Sequence, residues 1–220
     1  MSKLRGVILD EASFNRDDLD LTGLLGKLDH WRRYPATTDQ QRLQHLAGAT
    51  VAIANKLVFD RPLLEQLDAL QLILLTATGT DRVDMDFCRQ RGISVKPVSD
   101  YCTESVAQHV FSLLLALTTH LIPYQQATRE GRWSAGSDFS SLAFPIHELQ
   151  GQTLGLVGYG ALARGVERIA RAFGMQILIA ERAGAEQVRP GRMPLQEMLR
   201  QIDVLSLHCP LTEATRHLIG

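Results

Sequence analysis

The chain has 220 residues, enough for one large domain or two small ones, and its 45% apolar share is enough to bury a core in each. A formal net charge of -1 leaves no electrostatic footprint for nucleic acid or an anionic membrane surface. Cys88, Cys102 and Cys209 are odd in number and widely spaced, which fits reduced thiols in a cytoplasmic protein and no metal pairing. The opening MSKLRGVILDE has no apolar region of signal-peptide length, and the longest apolar run, Phe111 to Leu117, is far too short to span a bilayer.

Residues 1 to 98 alternate short apolar runs with helical patterns. Gly6 to Leu9 reads as a first strand. Leu19 to Leu28 carries Leu21, Leu24, Leu25 and Leu28 on one helix face. His30 to Tyr34 is a second strand, and Asp39 to Leu46 is a short helix that Thr38 or Asp39 would cap. Thr50 to Ala54 is a third strand. Pro62 to Leu67 opens a helix with proline at an early position, where its missing N–H costs nothing. Leu72 to Ala77 is nearly all apolar, as a strand buried on both faces requires. Val83 to Arg91 is helical and stops at Gly92, and Ile93 to Val98 is a fifth strand. Repeated strand–helix units imply a parallel sheet covered by helices.

At the carboxyl end of the fourth strand lies Ala77-Thr78-Gly79-Thr80-Asp81. Ligands in such sheets bind beyond the strand carboxyl ends, so free N–H groups here could hold a carboxylate. A plain turn, with Thr80 or Asp81 capping the next helix, is the bland alternative.

Thr103 to about Thr128 is the longest helical pattern. It carries an apolar stripe of Val106, Val110, Leu113, Leu114, Leu117 and Leu121, and Pro123 is expected to kink or divide it. His109 and His120 lie in it as packed or partly exposed side chains. Gly131 to Leu149 reads as an ordered loop in which Trp133, Phe139 and Phe144 are packing anchors.

The most informative stretch is Gln152 to Arg182. An apolar run, Thr153 to Val157, leads into Gly158, Tyr159 and Gly160. About a dozen residues of helical spacing follow, then a second apolar run, Gln176 to Ala180, that closes on Glu181. Gly158 lets the chain turn sharply, and Gly160 lets a pyrophosphate approach the backbone. Ala163 takes the third position of the G-x-G-x-x-G/A fingerprint, where close helix–strand packing needs a small residue. The helix N-terminus offers N–H groups and a positive dipole end to phosphates. Glu181 lies roughly 20 residues on, where a carboxylate can accept hydrogen bonds from a ribose. The alternative is an ordinary strand–helix turn with a solvated Glu181. NAD is favoured over NADP because a 2′-phosphate beside Glu181 meets like charge, although Arg182 could hold that phosphate. Beyond it, Ala183 to Gly191 is a loop, Pro194 to Gln201 a short helix, and Asp203 to Leu207 a strand. His208-Cys209-Pro210-Leu211-Thr212 follows on the same rim, and Gly220 falls inside the next expected helix.

ATGTDRVDMDFCRQRGISV, YCTESVAQHVFSLLLAL, TLGLVGYGALARGV and SLHCPLTEATRHLI together resemble the D-isomer-specific 2-hydroxyacid dehydrogenases, in order and spacing, from about residue 45 onward. GRWSAGSDFSSLAFPIHELQGQTLG is similar to the glycerate dehydrogenase (hydroxypyruvate reductase) branch. The resemblance implies an α/β chain of two doubly wound parallel-sheet domains. Residues 1–100 would form the N-terminal part of a flavodoxin-like substrate-binding domain. Residues 101–220 would form a Rossmann NAD-binding domain, incomplete at its C-terminal end. It also implies homodimers through the nucleotide domains.

Carried onto this chain, the resemblance places Gly158, Tyr159, Gly160, Ala161 and Leu162 along the pyrophosphate, and Glu181 on the adenosine ribose, where the family commonly has Asp. Cys209, Pro210 and Thr215 would lie on the adenosine side. Thr78 would approach the nicotinamide, and Gly79 with its neighbours would bind the substrate carboxylate. The family's substrate-gripping Arg, orienting Glu and acid–base His follow the segment that ends at Gly220, so no residue here takes those roles. His208 and His217 are not substitutes, and the 220-residue form is expected to be a fragment that at most binds cofactor weakly. The implied reaction is hydride transfer between nicotinamide and a D-2-hydroxy acid/2-oxo acid pair, glycerate/hydroxypyruvate foremost. The rival readings are a dinucleotide-sensing, corepressor-like protein of the same family, or another Rossmann enzyme such as a formate dehydrogenase or a homocysteine hydrolase.

Overall fold

The computed structural model describes residues 4–136 and 139–219. Ser137 and Asp138, within the Gly131 to Leu149 segment, and Gly220, at the end of the last expected helix, lie outside the described residues. The chain divides into two compact units, Met1–Ser99 and Asp100–Gly220.

The first unit runs β1 (Arg5–Ile8), α1 (Thr22–Leu25), β2 (His30–Arg33), α2 (Arg42–Leu46), β3 (Val51–Ala54), α3 (Arg61–Leu64), β4 (Leu72–Leu75), α4 (Met85–Arg91) and β5 (Ser94–Pro97). All its strands pair in parallel, in the order β2-β1-β3-β4-β5. That is the flavodoxin-like order, whose reversal lies between β1 and β3. Parallel strands covered on both faces need apolar residues throughout, and Val51, Ala52, Ile53 and Ala54 are all buried. Phe59, Leu64 and Ile73 are fully buried beside them, each worth roughly 1.5–3 kcal/mol of transfer free energy.

Two helices of this unit start differently from expectation. The pattern from Leu19 to Leu28 yields only Thr22–Leu25, and Leu19 is half exposed. Asp20 accepts the Thr22 N–H at 2.9 Å and starts the helix late, while Gly23 and Gly26 weaken its continuation. Neither Thr38 nor Asp39 caps α2. The Thr38 N–H and hydroxyl donate instead to the Gln41 side chain, at 3.2 and 3.0 Å. The α3 start is as read, with Asp60 accepting the Leu63 N–H at 3.2 Å and Pro62 in the first turn.

The second unit runs α5 (Thr103–Thr118), α6 (Leu121–Arg129), α7 (Arg132–Ala135), β6 (Thr153–Val157), α8 (Ala161–Ala172), β7 (Gln176–Ile179), α9 (Leu195–Met198) and β8 (Val204–Leu207). Its three strands are parallel, in the order β7-β6-β8. The expected long helix is divided, with a bend of 60° between α5 and α6. The break falls at His120, in the left-handed region at φ 49°, not at Pro123. A proline ring collides with the carbonyl four residues before it, so Pro123 expels Thr119 from the helix and is itself tolerated in the first turn of α6. Among the described residues no single helix is long and apolar enough to cross a membrane.

The face of α5 that packs keeps only part of the expected stripe: Leu114 and Val110 pack as read, and the rest is displaced toward Ala107 and Phe111. Ala107, Phe111 and Leu114 are buried, whereas Leu113, Leu117 and Leu121 are 53%, 73% and 57% exposed. Ala107 lets α8 come close. A Cβ added at Gly165 of α8 would lie 2.7 Å from Thr103 Cγ2 and 3.6 Å from Ala107 Cβ. Trp133 and Phe139, expected as packing anchors, are 55% and 99% exposed. Phe144 does pack, stacking on His120 and meeting the Tyr124 ring edge-on, and the Tyr124 hydroxyl donates to the Phe144 carbonyl at 2.7 Å. His109 is exposed. The last residues before Gly220 form turns, not the expected helix.

Candidate functional site

In the second unit β6 is central, with β7 on one side and β8 on the other. The strand order reverses there, and an open α/β sheet presents its ligand crevice at the strand carboxyl ends beside such a reversal. Every candidate residue of this unit lies at that end.

Gly158 follows β6 at φ 80°. A Cβ there would lie 2.6 Å from the Cys209 amide nitrogen and 2.7 Å from the His208 carbonyl carbon. The turn after β8 therefore lies directly against it, and the His208 N–H donates to the Val157 carbonyl at 2.7 Å. Only glycine satisfies both the backbone angle and the contact. Gly160 is different. It sits at φ -98° as the N-cap of α8, and a Cβ there would meet nothing within 4 Å. The first helical hydrogen bond runs from the Arg164 N–H to the Gly160 carbonyl at 3.1 Å. The N–H groups of Ala161, Leu162 and Ala163 thus have no protein acceptor among the described residues, and no side chain caps the helix. The result is an open, positively polarised helix end with bare backbone in front of it. Ala163 is fully buried against Leu154 and Leu156, as a small residue at the third fingerprint position must be. Sequence reasoning missed Gly165, which serves the α5 contact; a glycine inside an otherwise good helical pattern was the available signal.

The Tyr159 side chain turns along α8, away from the open space. Its hydroxyl donates to Glu167, whose carboxylate also accepts from Arg171 at 2.9 and 2.7 Å. Holding its proton against that carboxylate raises the Tyr159 pKa. Only the backbone of Tyr159 faces the helix end.

Glu181 closes the β7 side and is buried. Its carboxylate accepts the Arg182 N–H at 2.8 Å and the Arg189 N–H at 2.9 Å, and pairs with the Arg189 guanidinium. The hydrogen bonds from the Arg189 side chain and backbone hold it well below the usual carboxylate range. It is not the solvated side chain of an ordinary turn. Arg189 was not singled out from the sequence, because it lies in an irregular loop with no periodicity to mark it.

On the β8 side, Cys209 is half-buried against Val157, Ala180 and Met198. Pro210 is exposed. The Thr215 hydroxyl is committed to its own loop, donating to the Pro210 carbonyl and accepting the Thr212 N–H, both at 2.7 Å. His208 is half-buried, with Nε2 2.9 Å from the Ser206 hydroxyl, and burial lowers its pKa.

In the first unit, Thr78 and Gly79 follow β4 and are exposed. The Thr78 hydroxyl donates to the Val98 carbonyl at 3.1 Å, tying the ends of β4 and β5 together. The N–H groups of Thr78, Gly79 and Thr80 donate to no protein acceptor among the described residues. Neither Thr80 nor Asp81 caps α4; that role falls to Asp84, which accepts the Phe87 N–H at 2.9 Å. The loop is thus not the capping turn of α4.

Residues 111–220 match the model of the D-isomer specific 2-hydroxyacid dehydrogenase, NAD binding domain. The chain is 36% identical over 210 residues to a glycerate dehydrogenase of Methylorubrum extorquens, covering 94% of this chain and 65% of that one. It is 31% identical over 219 residues to a hydroxypyruvate reductase of Blautia hydrogenotrophica, covering 97% of this chain and 68% of that one. Among solved structures, a D-lactate dehydrogenase from Aquifex aeolicus complexed with NAD and lactic acid superposes with a TM-score of 0.78 at 26% identity, over 96% of this chain and 62% of that one. The chain spans 60–68% of the length of the first three curated relatives that it matches. With a glycine turn, an open helix end and a strand-closing carboxylate in the family's order, and with identities of this size, the chain belongs to the D-isomer specific 2-hydroxyacid dehydrogenases and carries their NAD-binding domain.

Proposed function

We propose that the protein carrying this chain transfers a hydride between a nicotinamide dinucleotide and a D-2-hydroxy acid/2-oxo acid pair, with glycerate/hydroxypyruvate as the natural pair. The observation that carries this reading is the contrast between the two glycines of the turn. Gly158 is glycine because the protein's own backbone crowds it, while Gly160 is glycine although nothing of the protein crowds it. Space kept clear in front of unpaired N–H groups fits a pyrophosphate.

The nicotinamide supplies the hydride; the chain supplies binding and orientation. The backbone of Gly158, Tyr159 and Gly160, with the N–H groups of Ala161 and Leu162, would hold the diphosphate. Glu181 and its partner arginine would face the adenosine ribose. Cys209 and Pro210 would pack beside the adenosine, with Thr215 bracing their loop from within. Thr78 would approach the nicotinamide, and the free N–H groups of Thr78 and Gly79 would receive the substrate carboxylate. Proton transfer is assigned to no residue of this chain. Two relatives, a glycerate dehydrogenase and a hydroxypyruvate reductase, support the choice of acid. We also assign the exposed leucines of α5 and α6, Leu113, Leu117 and Leu121, to a homodimer contact through the nucleotide domain, since clustered exposed leucines mark interaction surfaces. The unpaired state of all three cysteines fits a cytoplasmic setting.

The test is quenching of tryptophan fluorescence by NADH, followed by NADH oxidation with hydroxypyruvate, glyoxylate and pyruvate, using a protein that carries this chain. Binding with the highest kcat/KM for hydroxypyruvate is expected. Binding without preference for hydroxypyruvate refutes the acid assigned, and no binding refutes the dinucleotide site.

A further inference from the structure

The carboxylate that closes β7 is already fully engaged. Arg189 Nε lies 3.0 and 2.9 Å from the two Glu181 oxygens, and its Nη2 donates to Oε1 as well. The Arg182 and Arg189 N–H groups occupy one oxygen each. A carboxylate offers about four lone-pair sites, so little is left for the two hydroxyls of an adenosine ribose. A third arginine, Arg192, brings Nη1 to 3.9 Å from the same carboxylate, and its guanidinium lies over the Tyr159 ring, 5.8 Å from the centroid. The loop after β7 is therefore fastened to Glu181 through Arg189 and reaches the glycine turn through Arg192. From Glu181 to Arg192 the chain carries three arginines against two glutamates, and the Arg182 side chain has no ion-pair partner among the described residues.

A bare carboxylate here would accept a ribose 2′-hydroxyl and repel a 2′-phosphate. A carboxylate enclosed by guanidinium does neither. We infer that Arg189 sets the cofactor preference at this strand end: it cancels the charge of Glu181 and, with Arg182, offers guanidinium to a 2′-phosphate, so that NADPH is bound at least as tightly as NADH. This rests on the dinucleotide-site reading above and goes beyond it by naming the residue that selects the sugar. The Arg189 fork is spent on Glu181, so the two parallel hydrogen bonds that suit a phosphate would come from the guanidinium of Arg182. The hydrogen bonds from Arg189 hold the Glu181 carboxyl below the usual carboxylate range, which favours the ionised pair.

The experiment is fluorescence titration of the chain with NADH and with NADPH, on the unmodified protein and on Arg189→Ala and Arg189→Lys, each checked for folding by circular dichroism. The quantity read is the ratio of the two dissociation constants within one preparation, from which the folded fraction cancels. The unmodified chain is expected to bind NADPH no more weakly than NADH. Arg189→Ala is expected to shift the ratio toward NADH by at least about tenfold, which corresponds to about 1.4 kcal/mol. Arg189→Lys, which keeps the charge and loses the fork, should fall between them. An unmodified protein that favours NADH by about tenfold overturns the inference. So does an Arg189→Ala ratio equal to that of the unmodified protein, which leaves Arg189 as a loop fastener only. Both outcomes leave the dinucleotide site standing. If neither nucleotide binds, the site reading itself fails.

Discussion

The two glycines of the turn make opposite predictions, and together they separate folding from binding. In Gly158→Ala the new Cβ would lie 2.6, 2.7 and 2.8 Å from the Cys209 nitrogen, the His208 carbonyl carbon and the Cys209 Cα. All three are backbone atoms, so no rotamer can relieve the contact. The left-handed angle costs a non-glycine residue roughly 1–3 kcal/mol, and overpacking against fixed atoms costs a further 1–3 kcal/mol or so. A loss of about 2–6 kcal/mol is a large part of the 5–15 kcal/mol or so that holds a typical domain together. In Gly160→Ala the new Cβ meets nothing within 4 Å and the backbone angle is ordinary. Its cost to stability should stay below about 1 kcal/mol, the difference between glycine and alanine as an N-cap. It would, however, stand in the space that the proposed site gives to the diphosphate. Urea unfolding followed by circular dichroism, with NADH titration on the same samples, reads both effects. Gly158→Ala should lower the unfolding midpoint sharply. Gly160→Ala should keep the midpoint and weaken NADH binding by at least about tenfold, or about 1.4 kcal/mol. A Gly160→Ala protein that binds NADH as the unmodified chain does would refute the reasoning, because the space would then be clear for no reason connected with the cofactor.

Asp84→Ala removes the side-chain cap of α4 and should cost about 1 kcal/mol in urea unfolding, without changing NADH binding. The depressed pKa of Glu181 also sets a pH dependence. A carboxylate whose folded pKa lies below its unfolded value contributes stability that is complete above the unfolded pKa of about 4.3 and lost as pH falls further. The unfolding midpoint should therefore decline below about pH 4.3, and Glu181→Gln should make that decline shallower; an unchanged slope would show that the pair with Arg189 does not form in solution. Leu117→Glu places a charge on the exposed face of α5 and should convert a dimer to a monomer in sedimentation velocity, leaving the circular dichroism spectrum intact; a monomeric unmodified chain would remove that face from the dimer contact.

Much of the fold was legible because a parallel sheet writes itself locally. Short apolar runs bounded by helical patterns become strands wherever both faces are covered, and β3 and β6 lie within a residue of where the pattern puts them. The glycine turn was legible for the same reason: a residue type without a Cβ, between a strand and a helix, states a steric requirement that needs no partner to be understood. The effect of Pro123 was legible in kind but displaced by three residues, to His120, because its ring acts on the carbonyl one turn earlier. What the residues could not settle alone was which of two apolar faces of α5 is covered. Its leucines are the more hydrophobic choice, but helix packing rewards close approach, and Ala107 opposite Gly165 allows it. The pairing of Glu181 with Arg189 was likewise out of reach. Seven residues of irregular loop separate the two, and only the folded backbone, by delivering both the Arg189 N–H and its guanidinium to one carboxylate, decides that they meet.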